Sequence, residues 1–188
     1  MRKSILLFVF FLLISVGFLQ AAKKPPAAGD VFPKIALPAP EARSEREYLG
    51  LSGSGKFEIS AIRAPVVLLQ ILSIYCPYCQ KEAANVNELY RMIESDPDLR
   101  GRIVICGLGA GNSAYEVGAF RKKYAIPFPI IPDPDFAAYE RIGEVRTPYF
   151  IVIRTSSDGA ARVFYAEAGG LGDPARFLSR LRQLPELK

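Results

Sequence analysis

Two cysteines that enclose two residues are the feature of this sequence with the clearest chemical consequence. Cys76 and Cys79 flank Pro77 and Tyr78 where a largely apolar run, residues 66–74, gives way to a helical pattern. Thiols at positions i and i+3 of a first helical turn can close a disulfide and reopen it. The unpaired N–H groups and partial positive charge of a helix N-terminus favour the thiolate of Cys76. A thiolate of low pKa is the nucleophile of disulfide exchange.

The elements that must position this pair alternate between strand and helix. Buried strands are predicted where β-branched apolar residues run together, and helices where apolar residues recur at helical spacing or where a capping box stands, as at Ser113 and Glu116. In chain order we predict a strand over 66–74, a helix from Cys76 to Asp96, a strand over 103–108, a helix from Ser113, a strand over 128–131, a helix over 135–142, a hairpin of 149–153 and 162–166 around Ser157-Asp158-Gly159, and a helix between Asp173 and Pro185.

The N-terminal third differs in composition from the rest. Basic residues 2 and 3 precede an apolar stretch and then a polar, Pro-rich segment, which is the pattern of a secretory signal. We expect residues 1–21 to be a signal peptide or an uncleaved membrane anchor, 22–47 an extended Pro- and Ala-rich lead-in, and 48–188 a single domain. Within these parts, residues 41–47 are expected to form a loop and 48–62 a β-hairpin that covers a sheet edge.

Composition excludes several kinds of chemistry. The sequence has three cysteines and no histidine, so it lacks the commonest metal ligand and any Cys–His or Ser–His pair. Gln80 stands where haem attachment needs a histidine, and zinc would need four ligands. We therefore expect neither metal nor cofactor. The formal net charge of +5 comes from bases scattered among acids, which indicates a solvated surface and no nucleic-acid partner.

The chain resembles the exported thioredoxin-like redoxins of the TlpA/ResA group, within the AhpC/TSA-redoxin superfamily. The matching features are the strand that leads into the Cys76–Cys79 motif, the Lys81-Glu82 pair after it, the helix from Ser113, and Thr147-Pro148 just before a strand. The resemblance implies an α/β thioredoxin-like fold, with a central mixed β-sheet flanked by helices. It also implies an N-terminal β-hairpin extension and an extra helix inserted after the second core strand.

The same resemblance implies roles for residues. It places a cis-proline loop at Thr147-Pro148, facing the cysteines, where the backbone can pair with an extended substrate segment. It makes Cys76 the nucleophile and Cys79 the resolving thiol of a periplasmic thiol–disulfide oxidoreductase. The implied partners are exported protein thiols and disulfides, and a membrane electron donor or acceptor. The implied location is the periplasm or the extracytoplasmic face of the inner membrane, with cytochrome c maturation as the process served.

Several positions depart from the thioredoxin pattern. Gln70 stands where thioredoxin has a buried acid, so Gln70, Glu82 and Lys81 are the candidates for a proton relay to Cys79. Lys81 and Glu82 also fit an ordinary exposed helix face, which is the interpretation we favour. Tyr75, Pro77 and Tyr78 are expected to form an apolar rim that contacts substrate. The Pro-Tyr dipeptide is found in glutaredoxins and is close to the DsbA type, so the direction of exchange stays open.

Other interpretations compete with exchange chemistry. One is a redox-inert, membrane-tethered binding module whose disulfide is structural. Another is a peroxiredoxin-like peroxidase, although that family's motif needs proline where Leu69 stands. Cys106 is expected to be a core residue, with a third redox partner as the alternative. The glycine-rich residues 107–112 predict a turn, because Asn112 replaces the third glycine of a dinucleotide-binding motif.

Overall fold

The structure is a computed structural model that describes residues 24–155 and 159–187. Its regular elements, in chain order, are β1 (Leu37–Pro38), α1 (Arg43–Tyr48), β2 (Lys56–Phe57), β3 (Val66–Leu72), α2 (Pro77–Ser95), β4 (Ile103–Ala110), α3 (Ala114–Tyr124), β5 (Ile130–Asp133), α4 (Ala137–Ile142), β6 (Tyr149–Thr155), β7 (Ala161–Ala168) and α5 (Pro174–Leu181). Short 3₁₀ turns lie at Ile59–Ala61 and Pro185–Leu187.

A five-stranded mixed sheet of order β5-β4-β3-β6-β7 forms the centre of the fold. β3, β4 and β5 run parallel, whereas β6 is antiparallel to both β3 and β7. Helices α2, α3 and α5 pack on one face, and α4 packs with the N-terminal segment on the other. The predicted α/β class with a central mixed sheet is therefore confirmed, and so is the extra helix after the second core strand, which is α3.

The central strand β3 is buried along its whole length. Leu68 and Leu72 point into the layer of α2 and α5, while Val67, Leu69 and Ile71 point into the opposite layer. Because strand side chains alternate between faces, a strand covered on both sides must be apolar on both. This explains the near-continuous apolar run in the sequence, and it fixes the point at which the chain leaves the sheet toward Cys76.

The N-terminal segment corrects two predictions. The loop expected over 41–47 is wrong, because α1 occupies most of it. α1 is fixed by tertiary contacts: Glu45 pairs with Arg121, and the Tyr48 hydroxyl accepts a 2.8 Å hydrogen bond from the Ile105 N–H. The N-terminal extension does contain an antiparallel pair, but it joins β1 to β2 across α1 and is not a hairpin within 48–62.

The lead-in also contacts the sheet. Gly29 and Phe32 donate backbone hydrogen bonds of 2.8 Å to the carbonyls of Val163 and Ala161, so this segment covers part of the outer edge of β7. The expected signal or anchor over 1–21 lies outside the described residues, as do Ser157 and Asp158 of the expected hairpin turn. In the described ranges, no helix has both the length and the apolar character needed to cross a membrane.

Candidate functional site

The two motif cysteines occupy the start of α2. Cys76 is the N-cap residue and Pro77 is the first helical residue, where a fixed φ and a missing N–H suit the first turn. Cys76 is half-buried, whereas Cys79 is only 1% exposed, and neither forms a disulfide. One thiol can therefore meet a substrate, and the other is reached only from within the protein.

A loop from the far end of the chain completes the site. The Thr147–Pro148 peptide bond is cis, and the Thr147 carbonyl oxygen lies 3.4 Å from the Cys76 sulfur. The structure thus brings together Cys76, Thr147 and Pro148, which the resemblance had assigned to one site. Pro148 itself is held in place because its carbonyl accepts a 2.8 Å hydrogen bond from the Gly169 N–H.

The two motif thiols have opposite electrostatic environments. Partial burial raises the pKa of Cys76, but hydrogen bonds from the Thr147 side chain and from Cys79 and Tyr78 outweigh it and bring that pKa below its ordinary value. For Cys79, desolvation dominates and raises the pKa to about 12. Of the two motif thiols, Cys76 therefore ionises more readily, and Cys79 keeps its proton at neutral pH.

Two amides hold the loop between β3 and α2. The Ile74 N–H donates to Asn112 Oδ1 at 3.0 Å, and Gln80 Nε2 donates to the Ile74 carbonyl at 2.9 Å. The Asn112 side chain is fully buried at the entrance to α3. Sequence analysis missed both contacts, although a polar residue that interrupts a glycine-rich stretch after a buried strand was a usable signal, since buried amides require partners.

Exposed tyrosines surround Cys76. Tyr75 and Tyr78, the two tyrosines of the predicted rim, are 67% and 71% exposed. The Tyr75 hydroxyl donates to the carboxylate of Glu116 in α3, so this side chain points toward the β4 side of the site. Tyr78 lies on the other side, in the groove described below. The rim therefore has two halves with different neighbours.

Glu82 corrects the sequence interpretation. It is 7% exposed, and its carboxylate accepts hydrogen bonds from the Leu171 N–H at 2.8 Å and from Asn85 at 3.3 Å. Desolvation raises the pKa of Glu82, and these two hydrogen bonds offset only part of that effect. An exposed helix face is right for Lys81 and wrong for Glu82, because Gly170 packs against the carboxylate without a side chain.

Gln70 lies on the same side of the sheet as the cysteine pair. It is 4% exposed, and strand alternation places its side chain with those of Leu68 and Leu72. Both leucines belong to the apolar cluster that contains Cys79. An amide at this position is uncharged, so in this chain the buried carboxylate closest in sequence to Cys79 is Glu82 and not a residue of β3.

An open groove of about 490 Å³ lies between the start of α2 and the ends of β6 and β7. Residues from three parts of the chain line it: Tyr78, Lys81, Glu82, Arg146, Thr147, Pro148, Ala168, Gly169 and Gly170. Sequence analysis did not single out Arg146, although it directly precedes the Thr147-Pro148 pair. The cis-proline loop therefore forms one wall of this groove.

Cys106 lies apart from this site. It is fully buried in β4 opposite Leu69, and burial raises its pKa to about 12. Its side chain belongs to the apolar layer on the far face of the sheet from Cys79. The core interpretation is therefore confirmed, and the sheet itself separates Cys106 from the redox pair.

Comparisons with known proteins agree with this fold. Residues 28–160 match the AhpC/TSA family. No curated protein matches the chain. Similar solved structures include StoA from Bacillus subtilis, with 16% identity over 82% of this chain and 98% of that chain and a TM-score of 0.55.

Two further structures have the same fold. A secreted Mycobacterium tuberculosis disulfide oxidoreductase, homologous to E. coli DsbE, has 17% identity over 70% of this chain and 90% of its own, with a TM-score of 0.53. The thioredoxin domain of a thiol-disulfide oxidoreductase from Bacteroides vulgatus has 14% identity over 82% and 97%, with a TM-score of 0.61. At these identities the likeness establishes the fold, and the predicted thioredoxin-like architecture is confirmed.

The environments of the thiols predict selective alkylation. We expect iodoacetamide to modify Cys76 first, with a pH midpoint below the roughly 8.5 of an ordinary cysteine, because its thiolate is favoured. Cys79 and Cys106 should react only after denaturation. Peptide mapping by mass spectrometry over a pH series measures this, and Cys76→Ser is the control that should lose the fast phase. Equal labelling of Cys76 and Cys79 in the native protein would contradict the assignment.

The Asn112 contact predicts a measurable loss of stability. Asn112→Ala leaves the Ile74 N–H without its acceptor, which should lower the free energy of unfolding by about 1–3 kcal/mol. Gln80→Ala removes the donor to the carbonyl of the same residue, and we expect a smaller loss because Gln80 is only half-buried and water can replace it. Urea denaturation of both variants makes the comparison. If Gln80→Ala costs as much as Asn112→Ala, the buried amide has no special role.

Proposed function

The chain belongs to the AhpC/TSA family, and from that premise we propose that it is a thiol–disulfide oxidoreductase of the TlpA/ResA type. One observation carries the proposal. A half-buried thiol of lowered pKa, Cys76, lies one helical turn from a buried thiol of raised pKa, Cys79, with the Thr147 carbonyl against the first sulfur. This arrangement gives one sulfur access to a client and reserves the other for the second step.

In the reducing direction, the Cys76 thiolate attacks one sulfur of a client disulfide. A Cys76–client disulfide forms, the client S–S bond breaks, and the released client thiolate takes up a proton. Cys79 then loses its proton and attacks the Cys76 sulfur, which releases the second client thiol. The client gains two electrons and two protons, and the protein is left with a Cys76–Cys79 disulfide. The same steps in reverse donate a disulfide.

The second step needs a base, because burial keeps Cys79 protonated. Glu82 follows Cys79 by three positions on α2, so the two side chains are neighbours on the helix surface. Its carboxylate is buried, and its raised pKa brings it nearer to neutral pH, where a general base works best. We assign Glu82 as the proton acceptor for Cys79, with Gln70 as a buried neutral neighbour and Lys81 as a surface residue of the groove.

The proposed location and clients rest on sequence features. The signal-like pattern of residues 1–21 supports a periplasmic protein, released or held at the extracytoplasmic face of the inner membrane. One structural neighbour is described as secreted. The clients would be thiols and disulfides of exported proteins, with apocytochrome c among those that the TlpA/ResA resemblance implies, and a membrane protein would supply or accept the electrons.

The reduction potential of the Cys76–Cys79 pair tests the proposal. Equilibration of the purified protein with glutathione or dithiothreitol buffers gives this value. A potential near about −270 mV indicates a reductant, and one near about −120 mV a disulfide donor. A pair that stays oxidised below about −300 mV is structural. That result would replace the proposal with a thioredoxin-fold binding module.

Replacement of the resolving cysteine should trap clients. In Cys79→Ser the mixed disulfide on Cys76 cannot be resolved, so we expect it to accumulate on exported proteins and to be released by dithiothreitol. Non-reducing gels followed by mass spectrometry detect the adducts. The matched control is Cys106→Ser, which removes a thiol outside the site and should trap nothing. Absence of adducts in Cys79→Ser would count against exchange through Cys76.

Glu82→Gln tests the assigned base. We expect resolution of a Cys76–peptide disulfide to slow by about tenfold or more, whereas Glu88→Gln on the same helix should have no effect.

The difference in unfolding free energy between Glu82→Gln and the wild type should depend on pH. Because the folded pKa of Glu82 is raised, the native protein binds more protons than the unfolded chain between the unfolded pKa of about 4.3 and the folded value.

The contribution of Glu82 to stability therefore falls as pH rises through that window. Relative to the wild type, Glu82→Gln should gain stability from pH 4 to pH 8, as measured by urea denaturation at a series of pH values. An unchanged resolution rate would remove Glu82 from the mechanism. A flat stability difference across this pH range would show that its carboxylate is not destabilised by burial.

A further inference from the structure

The groove beside Cys76 presents positive charge to solvent. Lys81 and Arg146 are both exposed and both line the groove, one from α2 and the other from the loop that leads to Thr147. The ion pairs found among the described residues involve other arginines, at positions 43, 91, 100, 121, 154 and 182. The charges of Lys81 and Arg146 are therefore not neutralised by a carboxylate of the described chain.

The acids near the groove do not cancel this charge. Glu82 is the acidic residue of the groove lining, but its carboxylate is buried and accepts hydrogen bonds from Leu171 and Asn85. Glu167 lies close in sequence to the lining residue Ala168 and accepts a 2.7 Å hydrogen bond from the Tyr165 hydroxyl. It is not part of the lining. Glu144, two residues before Arg146, is exposed but also lies outside the lining, so the exposed charges that line the groove itself are those of Lys81 and Arg146.

The charge is confined to one side of the motif. The groove lies at the β6–β7 side, where Tyr78 and the Thr147-Pro148 loop meet. On the β4 side, Tyr75 is paired with the carboxylate of Glu116, whose pKa is lowered by that hydrogen bond and by those from Ser113. A segment that crosses Cys76 therefore has Lys81 and Arg146 on one side and the Tyr75–Glu116 pair on the other.

We propose that this groove selects client segments that carry Asp or Glu beside the reacting cysteine. The inference rests on the proposed exchange activity and adds to it the chemistry of the preferred partner, an acidic polypeptide segment. The two cations would attract the client carboxylates as the disulfide approaches Cys76. Each exposed ion pair changes a rate by up to about fivefold, and complementary charge acts mainly on the association rate.

The test compares disulfide peptides that differ only in the residues beside their cysteines. Three peptides of equal length, each with one intrachain disulfide, carry Glu, Gln or Lys at those positions. Single-turnover reduction by the reduced protein at pH 7 and low ionic strength gives the second-order rates. We expect the Glu peptide to react about five- to tenfold faster than the Gln peptide, and the Lys peptide more slowly than either. At 0.5 M salt the preference should nearly vanish, because charges at the surface are screened.

Variants of Lys81 and Arg146 test whether the preference for acidic peptides arises in the groove. In Lys81→Gln with Arg146→Gln, the Glu-to-Gln rate ratio should fall close to one, and in Lys81→Glu with Arg146→Glu the order of the peptides should reverse. The matched control is Lys122→Gln with Arg176→Gln, which changes the net charge equally at exposed positions outside the groove. Because the readout is the ratio of the Glu-peptide rate to the Gln-peptide rate, a general loss of activity in a variant lowers both rates and leaves the ratio unchanged.

The outcomes separate the two levels of the proposal. If the wild type reduces all three peptides at the same rate, or if the control pair loses the preference as fully as the groove pair, the groove does not select acidic clients, while the exchange activity stands. If Lys81→Gln with Arg146→Gln keeps the full preference, the inference is overturned in the same way. If no peptide is reduced, the proposed function fails, and this inference fails with it.

Discussion

The position of helix α2 is set by the end of strand β3, and β3 is fixed in the centre of the sheet. Its seven residues are buried on both faces and are hydrogen-bonded to a parallel neighbour and an antiparallel one. The short loop that follows is held at Ile74 by Asn112 and Gln80. The N-terminus of α2 therefore presents its unpaired N–H groups to Cys76 at one fixed place. The thiol chemistry of the site depends on this placement.

This placement gives Cys76 and Cys79 different environments and different chemical roles. One turn separates them, yet Cys76 is half-buried at the edge of the apolar cluster and Cys79 is buried within it. In thiol–disulfide exchange, a sulfur of low pKa is also the better leaving group. The lowered pKa of Cys76 thus favours its thiolate for attack on a client in the reducing direction. In the oxidising direction it favours the departure of Cys76 when the second client thiol attacks the client sulfur of the mixed disulfide. The raised pKa of Cys79 delays that second attack until the proton can be removed.

Local sequence signals predicted most of the fold. Strand and helix periods located the sheet, the CxxC motif located the helix start, and the capping box located α3. The failures have a common physical cause, which is dependence on distant contacts. A charged segment became α1 because Glu45 and Tyr48 find partners far along the chain. Glu82 became buried because Gly170, remote in sequence, leaves room only for its carboxylate.

The site itself was predictable to a similar extent. The cysteines and the Thr147-Pro148 loop carry motifs that a sequence displays directly. Asn112 carries only the indirect signal of a polar residue within a glycine-rich stretch, which does not identify Ile74 as its partner. Arg146 carries no motif, because it contributes through its place in a groove built from three parts of the chain. Residues of this kind become visible only when the distances between elements are known.

The position of Cys106 has a consequence for how the protein matures. In the oxidising compartment proposed for this protein, an unfolded chain offers all of its thiols to one another, and a pairing that includes Cys106 would tie a core strand to the CxxC motif. Once the sheet has formed, a layer of backbone separates Cys106 from Cys79, and such a pairing is no longer possible without unfolding. Completion of the fold thus also removes Cys106 from disulfide exchange with the motif. Before that step the protein is itself a potential client of disulfide-correcting enzymes.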